Sequence, residues 1–275
     1  MPHESPAPPT LEAVVAVAQG ACELTRCLVR SPLQRRQKDD DSPVTVVDEA
    51  VDAYLHAHLR PLFASAAWLS EETKDRPERL GAHWLWIVDP IDGTRSLLAG
   101  EPEYCVSIAL VECAFGPRLA VVANPSTGDV FRAEAGGGAF DQRDHPMRVR
   151  PRWNPTEATF LASRTDAAQG LWRERWASGT VRPMGGLAWK MAMVAAGKAD
   201  GHATLGPRSE WDAAAGALLV AEAGGRCCDL AGRPLRYNQA VPHYRGCVVA
   251  SAAAFDAMLA AAQAEARARG DGADG

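Results

Sequence analysis

A run of five apolar residues, Trp84-Leu85-Trp86-Ile87-Val88, leads directly into Asp89-Pro90-Ile91-Asp92-Gly93. Such a run, bounded by turn residues, reads as a strand buried on both faces. A strand of this kind needs a layer packed on each side, which excludes an all-helical chain. It must also present two carboxylates three residues apart at its end, where Pro90 and Gly93 turn the chain.

The flanking sequence supplies those layers. Leu11, Val14, Val15, Ala18, Ala21, Cys22 and Thr25 recur at helical spacing, predicting an amphipathic helix over 10–30. A second helix is expected over 45–60, stopped by Pro61. Strands are expected at 66–69, 104–112, 118–123 and 129–133, with a turn at 124–128 and a hairpin at Gly136-Gly137-Gly138. The first half therefore reads as helices alternating with an antiparallel sheet. Beyond residue 150 the pattern predicts a strand at 160–163, helices at 166–177 and 188–197, and a helix at 212–223 closed by Gly224-Gly225. Strands near 226–229 and 246–250 and a helix at 252–268 follow. The expected organisation is two packed α/β subdomains, 10–150 and 151–268, without a flexible linker.

Composition narrows the function. The 275 residues are 47% hydrophobic and 23% charged, which excludes disordered and low-complexity classes. A net charge of −5 argues against nucleic acid as the main partner. The apolar stretch 11–29 is broken by Glu12, Gln19, Glu23 and Arg26, and the first residues carry no basic segment, so neither a membrane span nor an export signal is expected. Seven cysteines, an odd number without a C-x-x-C pair, read as reduced thiols in a cytoplasmic protein. Cys227-Cys228 reads as a pair of buried strand residues.

The chemistry concentrates at Asp89 and Asp92. Two acids converging in one turn repel unless a cation neutralises them, and oxygen-only ligands select Mg²⁺, Mn²⁺ or Ca²⁺ over zinc. Gly93-Thr94-Arg95 opens a helical turn whose free N–H groups suit a phosphate. On these residues alone, a turn whose acids merely cap backbone N–H groups remains the alternative. The acids are one residue too far apart for the D-x-D-x-T pattern of a covalent aspartyl mechanism. Three further segments hold candidate groups: Ser70-Glu71-Glu72 at a strand end, Glu210-Trp211-Asp212 at a helix start, and the charged loop from Lys38 to Asp48.

Together the four segments resemble the Mg²⁺-dependent, lithium-sensitive phosphatases of the inositol monophosphatase superfamily. That family shows K-x-D-x-S-P-V-T-x-A-D, (S/G)-E-E, D-P-(I/L)-D-G-T and W-D-x-A-A-G in this order. The chain matches each, with Val47 where alanine is usual. The resemblance runs from about residue 10 to 255 and implies a layered α/β/α/β/α sandwich. It implies that Glu71, Asp89, the Ile91 carbonyl, Asp92 and Asp212 hold two or three Mg²⁺ ions, with Mn²⁺ as a possible substitute. Asp48 and Thr94, with Glu71, match the groups that activate water. Gly93 and Thr94 would hold the phosphate with Asp92 and Asp212 beside it, and Lys38 and Glu72 match supporting positions. The partner implied is a small phosphorylated substrate, with a homodimer compatible.

The substrate is read from what lies between the motifs. Arg95-Ser-Leu-Leu-Ala-Gly-Glu-Pro-Glu-Tyr104 resembles the bacterial 3′(2′),5′-bisphosphate nucleotidases, as do Leu161-Ala-Ser-Arg164, Lys190-Met-Ala-Met-Val-Ala-Ala-Gly197 and Gly206-Pro-Arg-Ser-Glu-Trp-Asp212. This implies hydrolysis of the 3′-phosphate of 3′-phosphoadenosine 5′-phosphate. Arg95, Arg164, Lys190 and Arg208 are the candidate partners of a second phosphate. The chain departs from that subgroup at Gly186-Leu187-Ala188-Trp189-Lys190, where the usual hydroxyls are missing. An inositol or sugar monophosphate is the alternative substrate. A non-catalytic regulator is the alternative of a different class, and the presence of all five proposed acids argues against it.

Overall fold

The computed structural model describes residues 7–30, 35–37, 43–172, 176 and 178–269. Helix α1 (Leu11–Leu28) leads to a short antiparallel pair, β1 (Arg35–Gln37) and β2 (Pro43–Thr45), and then α2 (Val46–Leu62). Next come β3 (Ala67–Ser70), a 3₁₀ turn (Pro77–Gly81), β4 (Trp84–Asp92) and the short helix α3 (Thr94–Leu98). Strands β5 (Cys105–Glu112), β6 (Gly116–Ala123), β7 (Val130–Glu134) and β8 (Gly138–Phe140) complete a six-stranded sheet in chain order. The second half contains β9 (Thr159–Ala162), α4 (Arg164–Ala168), β10 (Thr180–Pro183), α5 (Leu187–Ala195), β11 (Gly201–Ser209), α6 (Glu210–Glu222), β12 (Gly225–Cys228), β13 (His243–Ser251) and α7 (Phe255–Arg269). Its five strands are ordered β10-β9-β11-β13-β12.

Side-chain alternation stacks these elements into five layers. On β4, Trp86 and Val88 face α1 and α2, packing with Val14, Ala18, Val51 and Leu55. Leu85 and Ile87 face the other way, into a core with Met191, Ala192, Ala214 and Leu219 of α5 and α6. Leu161, Cys247 and Val249 of the second sheet close that core from the far side. The opposite face of the second sheet, with Phe160, Ala203 and Val248, packs on Phe255, Met258 and Ala262 of α7. The result is the expected α/β/α/β/α sandwich. Helices α5 and α6 are covered on both sides, which explains their alanine-rich, nearly all-round apolar sequences.

Several elements differ from their sequence-based expectation. The first sheet is mixed, because β3 pairs with β4 in parallel and the 3₁₀ turn lies in the crossover. Pro61 sits inside the last turn of α2, which runs one residue further. The helix expected at 166–177 is only α4. Gly170 adopts φ +72° and Leu171 N turns back to the Asp166 carbonyl at 2.9 Å, while 173–175 and 177 lie outside the described residues. Strands β10 and β11 were not expected: β10 is largely exposed at an edge, and β11 carries Gly206-Pro207 at a register shift. All seven cysteines are free thiols. Burial pushes Cys227 up to about 12 and Cys228 up to about 11, so neither is a reactive thiolate near neutral pH.

A buried polar chain joins the two sheets. Arg79 makes a bidentate ion pair with Asp75 (2.6 and 2.8 Å) and donates to Asn238 Oδ1 (2.8 Å) and the Gln239 carbonyl (2.9 Å). The backbone amides of Asn238 and Gln239 donate to the fully buried Glu210 at 2.7 and 2.8 Å. Glu210 is the first residue of α6, so this chain orients the helix that carries Asp212.

Candidate active site

The site begins with an irregularity in β4. Asp89 pairs opposite Ser107 and Asp92 opposite Cys105, so three residues on β4 span two on β5. In a regular strand, residues three apart point to opposite faces. The extra residue of this bulge brings both carboxylates to the same side. Pro90 is tolerated there because the ladder is already interrupted. The strand thus continues through Asp92 rather than ending at Asp89.

Gly93 follows at φ +100° and caps α3. A Cβ at this position would lie 2.9 Å from the Glu103 carbonyl, so the turn requires glycine. Thr94 opens the helix and donates its hydroxyl to Asp48 Oδ1 at 2.7 Å. It also lies 3.2 Å from the Ile91 carbonyl. The other oxygen of Asp48 accepts from Thr45 N and Thr45 Oγ1, a capping box that locks Asp48 to the start of α2. The expected Asp48–Thr94 pair is therefore present, with Asp48 buried behind the threonine.

Asp212 arrives from the other sheet. It is the third residue of α6 and accepts from Ser209 N at 2.9 Å, so it caps its own helix while facing Asp89 and Asp92. Carboxylate oxygens of Asp89, Asp92 and Asp212 all lie within 4.8 Å of one another. Asp92 also caps α5: its two oxygens accept from Leu187 N (2.8 Å) and Trp189 N (3.1 Å). A Cβ on Gly186 would lie 2.7 Å from Asp92 Oδ2, so a glycine there permits this approach. The paired glycines before α5 were the sequence signal of this contact, and their role was missed.

Burial raises all three acids, and repulsion by neighbouring carboxylates adds to it at Asp89 and Asp212. Asp89 is held well above the usual carboxylate range by burial, then by Glu71, Asp92, Asp212 and Asp48. Burial raises Asp92, opposed by Lys190 and the two α5 amides. Burial, with Asp92 and Glu71 beside it, lifts Asp212 to about 7. Three convergent oxygen-only donors, Asp89 and Asp92 buried and Asp212 half-buried, fit a hard divalent cation, which would offset this repulsion.

These acids line a cavity of about 440 Å³ together with Glu71, Ile91, Gly93, Thr94, Arg95, Ser163, Arg164, Lys190 and Arg208. Lys190 is buried, and its ammonium has one hydrogen bond, to the Met184 carbonyl at 3.4 Å. Burial lowers it to about 8, against the pull of Asp92. Arg208 donates to Thr204 Oγ1 and its neighbour's carbonyl, and Arg95 is exposed on α3. Among the described residues none of these three cations has a carboxylate within ion-pair distance. Arg164 is different: it pairs with Glu103 and with Glu101 (3.3 Å), which share it with the cavity. Glu72 lies outside this cavity, on a neighbouring one of about 480 Å³ beside Trp211 and His243. Trp189 is core, packed on Phe131. Lys38 lies outside the described residues.

The model of the inositol monophosphatase family matches residues 8–268. The chain belongs to that family. A 3′(2′),5′-bisphosphate nucleotidase CysQ of Aggregatibacter actinomycetemcomitans is 32% identical over 83% of this chain and 87% of its own length. An inositol-1-monophosphatase of Rhizobium meliloti is 35% identical over 76% of this chain and 81% of its own. Among solved structures, CysQ from Bacteroides thetaiotaomicron superposes with a TM-score of 0.74 at 26% identity, covering 88% of this chain and 96% of that one. The family comprises phosphatases of small phosphorylated substrates and is generally Mg²⁺-dependent, which places this chain among the phosphoric monoester hydrolases. No helix among the described residues is long and apolar enough to cross a membrane.

Proposed function

We propose that this protein is a Mg²⁺-dependent 3′(2′),5′-bisphosphate nucleotidase that removes the 3′-phosphate of 3′-phosphoadenosine 5′-phosphate. The observation that carries the reading is the set of cations. Arg95, Lys190 and Arg208 line the cavity beside the acid cluster without a carboxylate partner among the described residues. Metal ions neutralise the phosphate being cleaved, so three more positive charges call for a second anion on the same substrate.

Glu71, Asp89, Asp92, Asp212 and the Ile91 carbonyl are the groups that would hold Mg²⁺. Bound there, it supplies charge neutralisation for the attacking and leaving oxygens of an in-line displacement. The chain's own residues do the rest. The first N–H groups of α3, at Gly93 and Thr94, orient the phosphate. Thr94 donates its proton to Asp48, which leaves its lone pairs to accept a proton from an attacking water. Asp48 stays in place through Thr45.

The test is phosphate release from a panel of 3′-phosphoadenosine 5′-phosphate, inositol 1-phosphate and fructose 1,6-bisphosphate. We expect a dominant kcat/KM for the nucleotide. Arg95→Gln and Arg208→Gln should each lower it about 10- to 100-fold, the worth of a hydrogen bond to a charged group, with under about threefold change for a monophosphate. A second reading rests on a different observation. Among the described residues no aromatic side chain lines the cavity to stack on adenine. Preference for inositol 1-phosphate, with both variants unaffected, would establish that reading instead.

A pH signature follows from the raised acids. Their unfolded values lie near 4, whereas Asp212 sits at about 7 when folded. Between those values the folded state binds more protons, so these acids make the cation-free protein lose stability as pH rises. Mg²⁺ competes with those protons, and its stabilisation grows over the same interval. Calorimetric melting should show a larger Mg²⁺-dependent Tm increase at pH 8 than at pH 5, worth about 2.7 kcal/mol at a hundredfold excess over Kd. An equal increase at both pH values would contradict the assignment of the acids to the cation.

A further inference from the structure

Helix α2 carries a second buried acid one turn beyond Asp48. Asp52 lies four residues on, on the same helix face, and is buried. Its two oxygens are used separately. Oδ1 accepts from Ser70 Oγ at 2.5 Å, and Oδ2 accepts from Thr73 Oγ1 at 2.6 Å. Those hydroxyls flank Glu71 and Glu72, at the point where β3 has ended. Past the strand end, Glu71 N donates to the Val88 carbonyl at 3.3 Å and Glu72 N to Ser70 Oγ at 3.5 Å.

Asp52 has no ion-pair partner among the described residues, and it lines neither cavity. A carboxylate buried without a cation is costly, and among the described residues its polar contacts are these two hydroxyls. Two acceptors facing two donors form a clamp that fixes the direction in which the chain leaves β3. That direction decides where the Glu71 carboxylate points.

We propose that Asp52 is a positioning residue that ties the Glu71 turn to α2 and thereby sets the affinity of the acid cluster for its divalent cation. This rests on the reading of Glu71 as a cation ligand. Helix α2 then serves as one rigid bar with two attachments. Asp48 holds Thr94, and Asp52 holds the turn that carries Glu71. A shift of α2 would move both groups together and preserve their relation.

The test is direct Mn²⁺ binding to the purified full-length chain by titration calorimetry, alongside the Mg²⁺ dependence of phosphate release. Residues that orient ligands typically govern metal affinity by 10- to 100-fold, and Asp52→Ala should weaken Mn²⁺ binding by about that factor. Asp52→Ala also removes a negative charge, so Ser70→Ala separates geometry from charge. It deletes one arm of the clamp, leaves net charge unchanged, and should weaken Mn²⁺ by about threefold or more, with kcat recovered at saturating Mg²⁺. Ser70→Ala also carries the test if Asp52→Ala fails to fold. Leu55→Ala, a cavity on the same helix, should lower Tm yet leave Mn²⁺ affinity within about twofold. The proposal is overturned if Ser70→Ala binds Mn²⁺ like the wild type, or if Leu55→Ala weakens binding equally. Absence of Mn²⁺ binding to the wild type would instead overturn the cation site itself.

Discussion

Asp89→Asn is expected to lower phosphate release by at least about 10³-fold while making the cation-free protein more stable. Both effects come from one charge. Asp89 is raised first by burial and then by the charges of Glu71, Asp92 and Asp212. Asparagine keeps the oxygen that accepts from Ile91 N at 3.0 Å, so the bulge is undisturbed. Loss of a central anionic ligand removes several kcal/mol of transition-state stabilisation, and each 1.36 kcal/mol is a factor of ten. Asparagine carries neither the burial cost of the carboxylate's charge nor the repulsion of its neighbours, so the cation-free fold gains stability. The paired measurement is kcat/KM with saturating Mg²⁺ and Tm in chelator. A variant with retained activity, or with a lower chelated Tm, would contradict the assignment of Asp89.

Thr94→Val should lower kcat by about 10²- to 10⁴-fold with KM changed less than about threefold, because the hydroxyl acts on the attacking water rather than on the substrate. The substitution is nearly isosteric, but it strips Asp48 Oδ1 of its partner within a buried environment. That adds a stability loss of about 1–3 kcal/mol. Thr94→Ser restores the hydroxyl and should recover kcat to within about tenfold. Substantial kcat in Thr94→Val would remove Thr94 from the proton path and leave it a structural contact.

What was legible in the sequence follows from how narrowly each feature is determined. Asp89 and Asp92 could be read from two acids flanking a turn at a strand end, whereas Glu71, Asp212 and the Asp48–Thr94 pair were legible through the resemblance of four ordered motifs to a family. The apolar periodicity of 11–28 and the continuous apolar run 84–88 were equally clear, since the helix buries one face and the strand both. The bulge was not, because nothing local states that the strand resumes at Asp92 after Pro90. The register comes from Cys105 on another strand. Arg164 could be read as a free cation only because Glu101 and Glu103, about sixty residues away, were not yet beside it. Asp52 could not be singled out from sequence, because Ser70 and Thr73, the hydroxyls that face it, come from a different element. The edge strand β10 escaped because it is largely exposed and pairs with only one neighbour.

The five-layer arrangement separates what can change from what cannot. Helices α5 and α6 lie between two sheets, so nearly every side chain they carry has a volume dictated from both sides. The acids are anchored to that interior through helix starts and a strand bulge. Two of the cavity's cations stand apart from that interior, Arg95 exposed on α3 and Arg208 near the end of β11, whereas Lys190 is buried on α5. If Arg95 and Arg208 select the substrate as proposed, exchanging either would change which phosphate ester is preferred without disturbing the anchored acids. Such a division makes catalysis and substrate choice separately evolvable within one framework.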